Sequence, residues 1–376
     1  MNCNPKFDDI RPYNEDEISA AMQRIAACEF FPLLANFVFP DRPIEEVRTM
    51  VSGLATTDDF QRKVMYVANK QIEARSITRL TFNGIERLDP AKRYLFVSNH
   101  RDIMLDAGLL QNVLVDNGHP TSQITFGANL MRGETVIDVG KSNKMFRVER
   151  GGNMKDFYHS SMHLSQYIRY VITERNESVW IAQRNGRTKN GIDKTDQGII
   201  KMFCMSHSDD KIEALSRLHI VPVSVSYEWE SCDVLKALEL YESQFTAYTK
   251  KPGEDLNSIL TGIVQPKGRV HFEIGEPLTR EQLMPFQGLT NSEYHKQVAA
   301  LLDDRINGGY RLFPNNYIAY DLRYGTQRFA GCYTDEDRCR FEKRLCKLSD
   351  YDTCDLEQLA DIFLGIYSNP VKTIHG

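Results

Sequence analysis

The pattern of apolar and polar positions changes twice along the chain. From residue 1 to about residue 75, apolar residues recur at the three- and four-residue spacing of amphipathic helices. From residue 76 to about residue 285, short apolar runs alternate with helical stretches, and beyond that the pattern is mainly helical again. We therefore predict an N-terminal helical bundle (1–75), an α/β domain (76–285) and a helical C-terminal extension (286–376).

The central segment predicts a layered sheet. Apolar runs bounded by turn residues predict strands at 77–82, 93–98, 124–126, 179–182, 219–227 and 270–274. Helices are predicted at about 103–117 and 156–175, and the stretch 127–140 is predicted to be loop with at most one helical turn. The predicted fold class is α/β, with a layered mixed β-sheet flanked by helices.

Composition excludes several classes of protein. Hydrophobic residues make up 41% and charged residues 26% of the 376 residues, which is ordinary for a soluble globular protein. The net charge of -5 offers no basic field for nucleic acid. The longest apolar stretch, 30–39, is about half of the ~20 residues that span a bilayer. The N-terminus lacks the pattern of a signal peptide. We expect a cytoplasmic protein, at most peripheral at the inner face of the cell membrane.

The eight cysteines include no Cys-x-x-Cys pair. Cys332, Cys339 and Cys346 recur every seven residues, which places them along one side of a helix. We interpret them as small buried hydrophobic residues and predict no metal site.

The stretch 94–110 carries the strongest candidate chemistry. An apolar strand ends in the polar turn 98–102, and a helix follows. A histidine in such a turn, here His100, is held by the scaffold at a sheet edge, where open α/β sheets carry their chemistry. Asp102 is a good N-cap and Asp106 lies in the first helical turn. Either carboxylate could fix the tautomer of His100 and stabilise its imidazolium, so all three are candidate catalytic residues.

Two glycine-containing loops are basic. The segments 146–152 and 180–191 hold Arg147, Arg150, Arg184, Arg187 and Lys189. Arginine forks beside exposed backbone amides suit phosphate or another oxyanion, so these loops predict an anion site.

The order of four motifs resembles the glycerolipid acyltransferase family, which acts on glycerol 3-phosphate, dihydroxyacetone phosphate and 1-acylglycerol 3-phosphate. The family's Asn-His-x-Ser-x-x-Asp is similar to Asn99-His100-Arg101-Asp102 with nearby Asp106. The other three motifs are similar to Phe146-Arg147-Val148-Glu149-Arg150, Asn185-Gly186-Arg187-Thr188-Lys189 and Ile220-Val221-Pro222-Val223. The resemblance covers about residues 80–280.

The resemblance implies a fold like that of glycerol-3-phosphate acyltransferase and an O-acyltransferase of phospholipid synthesis. His100 would be the general base on an acceptor hydroxyl, which attacks the thioester of acyl-CoA or acyl carrier protein. The acceptor would be glycerol 3-phosphate or 1-acylglycerol 3-phosphate. Its phosphate would be held by basic residues in and beside the second and third motifs: Arg150, Arg187, Lys189 and Arg184. Two further residues of the third motif, Asn185 and Gly186, would also bind the acceptor. The resemblance implies neither a cofactor nor a metal.

Two departures from the family pattern leave alternatives open. The family's aspartate follows its histidine by five positions, whereas Asp106 follows His100 by six. We expect an extra residue in the turn and Asp106 beside the imidazole, with Asp102 as the alternative. The third-motif glutamate is missing, with Asn185 or Gln183 nearest. The acceptor could therefore be a lyso-aminolipid, and the protein could be a non-catalytic relative that binds acyl carrier protein or lipid.

Overall fold

The computed structural model describes residues 4–149, 151, 153–207 and 210–376. The helices before the first strand are α1 (Glu15–Ala27), α2 (Phe31–Val38), α3 (Ile44–Ser52), α4 (Thr57–Phe60) and α5 (Tyr66–Ser76). Helix α1 begins where the Glu17 carboxylate accepts a hydrogen bond from the backbone N–H of Asn14 at 2.7 Å. A π-helical turn, Gln61–Met65, joins α4 to α5.

A mixed sheet forms the centre of the described chain. Its strands are β1 (Ile77–Asn83), β2 (Leu95–Ser98), β3 (Ser122–Gly127), β4 (Met145–Val148), β5 (Ser178–Ala182), β6 (Ile220–Tyr227) and β7 (Gly268–Ile274). They are arranged in the order β1-β7-β6-β2-β5-β3-β4. The β6–β7 pair is antiparallel and the other pairs are parallel. The predicted layered mixed sheet is therefore confirmed.

Helices cover both faces of this sheet and continue beyond it. They are α6 (Leu105–Asp116), α7 (Glu134–Ser142), α8 (Met154–Thr173), α9 (Gln197–Met205), α10 (Lys211–Ser216), α11 (Asp233–Glu242), α12 (Glu254–Val264), α13 (Arg280–Leu283), α14 (Asn291–Gly308), α15 (Pro314–Tyr324), α16 (Asp335–Leu345) and α17 (Leu356–His375). The prediction of loop over 127–140 was wrong, because α7 occupies much of it. Strand β4 was not predicted because its four residues are too short to show a period.

Alternating residues of β2 face two different cores. Leu95 and Val97 join one apolar cluster, and Phe96 joins the other, on the opposite face of the sheet. A third cluster lies within α1–α4 and a fourth unites α11 with α15–α17. Helix α14 packs against the sheet, where it buries Val298 and Leu302. The division at residues 75 and 285 stays a prediction.

The helices can be compared with the expectation that the chain does not span a membrane. Among the described residues no single helix is long and apolar enough to cross a bilayer. Helices α1 and α2, which meet at 100°, reach that length and composition only as a pair.

Cys332, Cys339 and Cys346 are exposed, so the prediction that they are buried was wrong. Their seven-residue spacing does not form one stripe, because Cys332 precedes α16 and Cys346 follows it.

Candidate active site

The turn that carries His100 follows the central strand β2. Strand β2 lies between β6 and β5, and its last residue, Ser98, is in register with Val223 of β6. The next residue, Asn99, continues this pairing with its side chain. Its Oδ1 accepts a hydrogen bond from the N–H of Val225 (2.7 Å), and its Nδ2 donates to the same residue's carbonyl (3.0 Å). The amide therefore fixes the backbone immediately before His100.

Asp106 lies beside the imidazole of His100. Its Oδ2 is 2.8 Å from Nδ1 of His100 and accepts from the backbone N–H groups of Arg101 (2.6 Å) and Asp102 (2.9 Å). The hydroxyl of Tyr227 donates to Oδ1 at 2.8 Å. Burial and the charge of Asp106 raise the pKa of Tyr227 well above its usual value, so the phenol keeps its proton. A carboxylate with these donors favours His100 with the proton on Nδ1. No described residue is hydrogen-bonded to Nε2.

Asp102 has a different task. Its Oδ1 accepts from the backbone N–H groups of Met104 and Leu105, each at 2.9 Å, and its Oδ2 accepts from the hydroxyl of Ser231. Asp102 therefore caps the start of α6, and the structure gives it no described contact with His100. Because α6 begins only at Leu105, the additional residue between histidine and aspartate is absorbed by the turn.

A buried aspartate, Asp193, joins the histidine turn to the basic loop 183–195. It accepts hydrogen bonds from Asn99 Nδ2 (2.9 Å), Arg101 Nη2 (2.6 Å) and Thr188 Oγ1 (2.6 Å). The N–H of Thr188 in turn donates to the carbonyl of His100 at 2.7 Å. The sequence analysis missed Asp193, because an aspartate within a basic loop shows no periodic signal.

The residue after the histidine is part of a buried charge network. Arg101 is 1% exposed and also contacts Glu230 at 3.2 Å, while Lys236 bonds to Glu230 and to the carbonyl of Arg101. The ring of Tyr310 lies 4.9 Å from the guanidinium. Because buried charges need partners, this network constrains the turn strongly.

His100 opens onto a cavity of about 370 Å³. Trp180 meets the imidazole edge-on, with ring centroids 5.5 Å apart. Its apolar lining includes Ile103 and Met104, which precede α6, and residues of β3, and its polar lining comes from the basic loop, where Asn185 and Gly186 also border the cavity. The cavity therefore combines an imidazole, an apolar wall and a cationic wall.

The basic side chains of the cationic wall differ in whether they have an ion-pair partner. Arg184 and Arg187 border the cavity and make no ion pair with any described residue; Nη1 of Arg187 is buried without a hydrogen-bond partner. Lys189 is paired with Glu239. Burial, with Lys250 and Arg187 nearby, lowers the pKa of Lys189 to about 8. The guanidinium groups, rather than Lys189, are the charges here that lack an ion-pair partner among the described residues.

The described residues of the second motif, 146–149, do not border this cavity. Arg147 pairs with Glu149 at 2.7 Å and borders a different cavity, of about 320 Å³. Arg150, predicted to hold the acceptor phosphate, lies outside the described residues.

The two cavities meet at the end of β3. Pairing between β3 and β5 ends at Ile124, and the remaining residues of β3, 125–127, border both cavities. The second cavity is bordered by apolar residues that include Phe157, Leu164 and Met202. An apolar chain that enters beside His100 could therefore continue past β3.

Comparison with known proteins places this site in a family. Residues 79–226 match the model of the family described as Acyltransferase. The central segment therefore carries an acyltransferase domain, which agrees with the resemblance seen in its motifs. The protein is an acyltransferase enzyme.

Two further comparisons are weaker. No curated protein matches the sequence significantly. The solved structure of the 1-acyl-sn-glycerophosphate (LPA) acyltransferase PlsC from Thermotoga maritima is similar at 11% identity and a TM-score of 0.37, over 76% of this chain and 93% of that one.

Proposed function

We propose that the protein transfers a fatty acyl group from acyl-CoA or acyl carrier protein to a hydroxyl of glycerol 3-phosphate or 1-acylglycerol 3-phosphate. One observation carries this proposal. The cavity places His100, with Asp106 on Nδ1, together with two unpaired guanidinium groups. A base for a hydroxyl and a site for a phosphate are what such an acceptor requires.

The reaction follows from the free ring nitrogen. Nε2 of His100 accepts the hydroxyl proton while the hydroxyl oxygen attacks the thioester carbonyl carbon. The imidazolium is stabilised by the ionised Asp106. The tetrahedral intermediate then expels the thiolate, which takes the proton from Nε2 and leaves as the free thiol. General-base help of this kind contributes about 10²–10⁴-fold.

Arg184 and Arg187 hold the acceptor phosphate in this proposal. Guanidinium groups match phosphate oxygens in fork geometry and do not lose their proton. A phosphate also provides the partner that the buried Nη1 of Arg187 lacks. Lys189 contributes less, because Glu239 already neutralises it.

The acyl chain takes the apolar route past β3. The residues shared by the two cavities, with the apolar side chains of the second cavity, offer a path that begins beside His100. Burial of each methylene contributes about 0.8 kcal/mol, so a long chain binds well in such a path.

We also propose contact with a membrane surface, beside the cavity. Asp255, in the first turn of α12, borders the cavity, and the same helix exposes Leu256, Leu260 and Val264. Leu256, Leu260 and Val264 lie four positions apart and share one face of α12, whereas Ser258 is buried on the opposite, inner face. Helix α2 adds exposed Leu33 and Leu34, and Phe30, which immediately precedes this helix, is exposed as well.

Membrane contact is tested by co-sedimentation with phospholipid vesicles. Leu260→Ser with Val264→Ser should release the protein, and Leu356→Ser with Ile374→Ser, exposed on α17, should not. Equal co-sedimentation of both variants would exclude α12 as the contact.

Acceptor identity is tested with the purified protein and one acyl thioester. Product formation is compared for glycerol 3-phosphate, 1-acylglycerol 3-phosphate and a lyso-aminolipid that lacks phosphate. The proposal predicts transfer to phosphate-bearing acceptors and a much higher KM without phosphate. Equal KM values with and without phosphate would contradict it.

The lyso-aminolipid alternative has one observation in its favour. Asp255, a carboxylate, borders the cavity, where it accepts from Asn129 Nδ2 at 3.0 Å and is paired with Lys250. An acceptor amine could replace Lys250 at this carboxylate. Transfer only to the lyso-aminolipid, lost in Asp255→Asn, would favour this alternative.

A further inference from the structure

A basic pocket lies at the outer edge of the sheet, away from the catalytic cavity. Arg79 of β1, Arg269 of β7 and Arg311, which follows α14, border a concavity of about 320 Å³ with Thr81 and residues 312–314. None of these residues borders the catalytic cavity. Strands β7 and β6 separate β1 from β2. The pocket is therefore a separate place in the fold.

The sheet register sets two arginines side by side in this pocket. Arg79 and Arg269 are cross-strand partners, and like charges in that position destabilise a sheet. Arg269 is neutralised, because Glu228 accepts from its Nη2 (2.9 Å) and Nε (3.0 Å), and its guanidinium lies 5.2 Å from the ring of Phe313. Arg79 makes no hydrogen bond or ion pair with any described residue. Arg79 is exposed, and of the two charges it is the one without a counter-charge among the described residues.

Arg311 adds a second uncompensated charge. Its Nη1 donates to the hydroxyl of Thr81 at 3.4 Å, and no described carboxylate pairs with it. The Thr81 hydroxyl is 2.9 Å from Nδ1 of buried His271. Burial and the charge of Arg311 lower the pKa of His271, which keeps the imidazole neutral, although Glu273 acts in the opposite direction.

Glu273, which lies near His271, already has other partners. Glu273 lies 3.6 Å from Nε2 of His271 and bonds to Asn83 (3.1 Å) and Arg87 (3.2 Å). It therefore does not neutralise Arg79 or Arg311. Glu228 and Glu273 are thus engaged by other groups, and Arg79 and Arg311 have no carboxylate partner among the described residues.

We infer that Arg79, Arg311 and Thr81 form a second anion site, which binds the phosphate group of a small phosphate-bearing ligand. Two guanidinium forks match the oxygens of a phosphate, and the Thr81 hydroxyl, which donates to the carbonyl of Val270 at 3.3 Å, can turn to a third oxygen. The pocket also borders Pro314, the first residue of the eleven-residue α15, whose positive end favours an anion. The ligand offsets the repulsion between the arginines, and the site is independent of the proposed acyl transfer.

Titration calorimetry with inorganic phosphate at constant ionic strength tests the site. Wild type is compared with Arg79→Ser/Arg311→Ser, with Arg187→Ser, and with Arg305→Ser, an exposed arginine of α14. The double variant should lose one phosphate site, with affinity there reduced at least about tenfold. It should keep wild-type acyl transfer. Arg305→Ser should bind as wild type does.

Arg187→Ser separates this inference from the proposed function. If the cavity binds phosphate, Arg187→Ser loses a site that the double variant keeps. If the catalytic cavity does not bind phosphate, Arg187→Ser titrates as wild type does, and the site formed by Arg79 and Arg311 is still detected. A double variant that binds phosphate with wild-type stoichiometry and affinity would overturn the inference; Arg79 would then serve only to protect an exposed sheet edge.

The source of the phosphate is identified with two further probes. Glycerol 3-phosphate provides a soluble phosphomonoester, and phosphatidylcholine vesicles with phosphatidic acid provide the same group on a lipid. Binding to the soluble probe that depends on Arg79 and Arg311 assigns a free metabolite. Co-sedimentation with phosphatidic acid vesicles that depends on both arginines assigns a lipid headgroup.

Discussion

The carboxylate of Asp106 lies 2.8 Å from Nδ1 of His100, although six positions separate them. On one continuous helix a shift of one position turns a side chain by about 100°. This rotation does not apply between His100 and Asp106, because residues 100–104 form a turn and α6 begins only at Leu105. Asp102 caps the start of that helix. The carboxylate that orients the imidazole and the one that shapes the turn are therefore different residues.

Exchange of each carboxylate for an amide should separate these tasks. Asp106→Asn should lower kcat by about 10²–10⁴-fold, because the amide no longer stabilises the imidazolium. Asp102→Asn should mainly lower stability, by about 1–3 kcal/mol, because the amide nitrogen cannot accept the hydrogen bond from the buried Ser231 hydroxyl. Steady-state kinetics and thermal unfolding of both variants check this. Equal loss of kcat in both would contradict the assignment.

The histidine turn and the general fold were predictable because their signals are local. An apolar run followed by Ser98, Asn99 and His100 predicts a strand end, and that strand is β2. The order of the strands in the sheet could not be predicted in this way, because neighbouring strands such as β2 and β6 are far apart in the sequence. Asp193 was missed because its partners, Asn99 and Arg101, lie more than 90 positions away.

The anion wall was predicted in outline only. The sequence marks Arg184, Arg187 and Lys189 as basic but does not show which of them has a partner. Glu239, on α11, neutralises Lys189. Helix α11 was not predicted, so the difference between lysine and arginine at this wall was visible only in three dimensions.

Removal of the free guanidinium groups should affect acceptor binding. Arg187→Ala should raise the KM for glycerol 3-phosphate about 10- to 100-fold and change kcat less, because a charge-assisted phosphate contact is lost. Arg187→Lys should restore binding only in part, since lysine lacks the fork. Kinetics with varied acceptor check this, with Lys189→Gln as the smaller-effect comparison. A larger KM change in Lys189→Gln would reverse the ranking.

Acceptor binding should weaken only modestly as pH rises through about 8, because Lys189 is the smaller contributor to the cationic wall. The pKa of Lys189 is lowered to about 8, so the ammonium loses its proton there while the arginines keep theirs. The KM for glycerol 3-phosphate should rise above pH 8 in wild type and stay flatter in Lys189→Arg. The lowered pKa also means that deprotonation between about pH 8 and 10.5 favours the folded state. Identical pH profiles would exclude this role.

The basic loop should depend on Gly191. Its φ is +77°, and a Cβ there would collide with the carbonyl oxygen of Ile366 on α17. Gly186 has a φ of +75° but open space around it. Gly186→Ala should cost about 1–2 kcal/mol of unfolding free energy, from backbone strain alone. Gly191→Ala should cost more, as denaturant unfolding can show. Equal costs would mean that α17 does not constrain the loop.

Asp193→Asn should uncouple the loop from the histidine turn. The change leaves Arg101 with one fewer buried counter-charge, and loss of a buried partner costs about 3–5 kcal/mol. We expect lower stability, a raised acceptor KM and a lower kcat together, because the residue positions both walls of the cavity. Glu228→Gln, which weakens the Arg269 pair elsewhere, should lower stability without changing kcat or KM. If Asp193→Asn alters stability alone, its role is structural only.

The most direct test of the account is the turnover of His100→Ala in acyl transfer to glycerol 3-phosphate, beside His159→Ala, an exposed histidine of α8. The account predicts that His100→Ala unfolds at a temperature close to that of wild type but loses about 10²–10⁴-fold in kcat, while His159→Ala keeps wild-type turnover. A folded His100→Ala protein with wild-type kcat would contradict it.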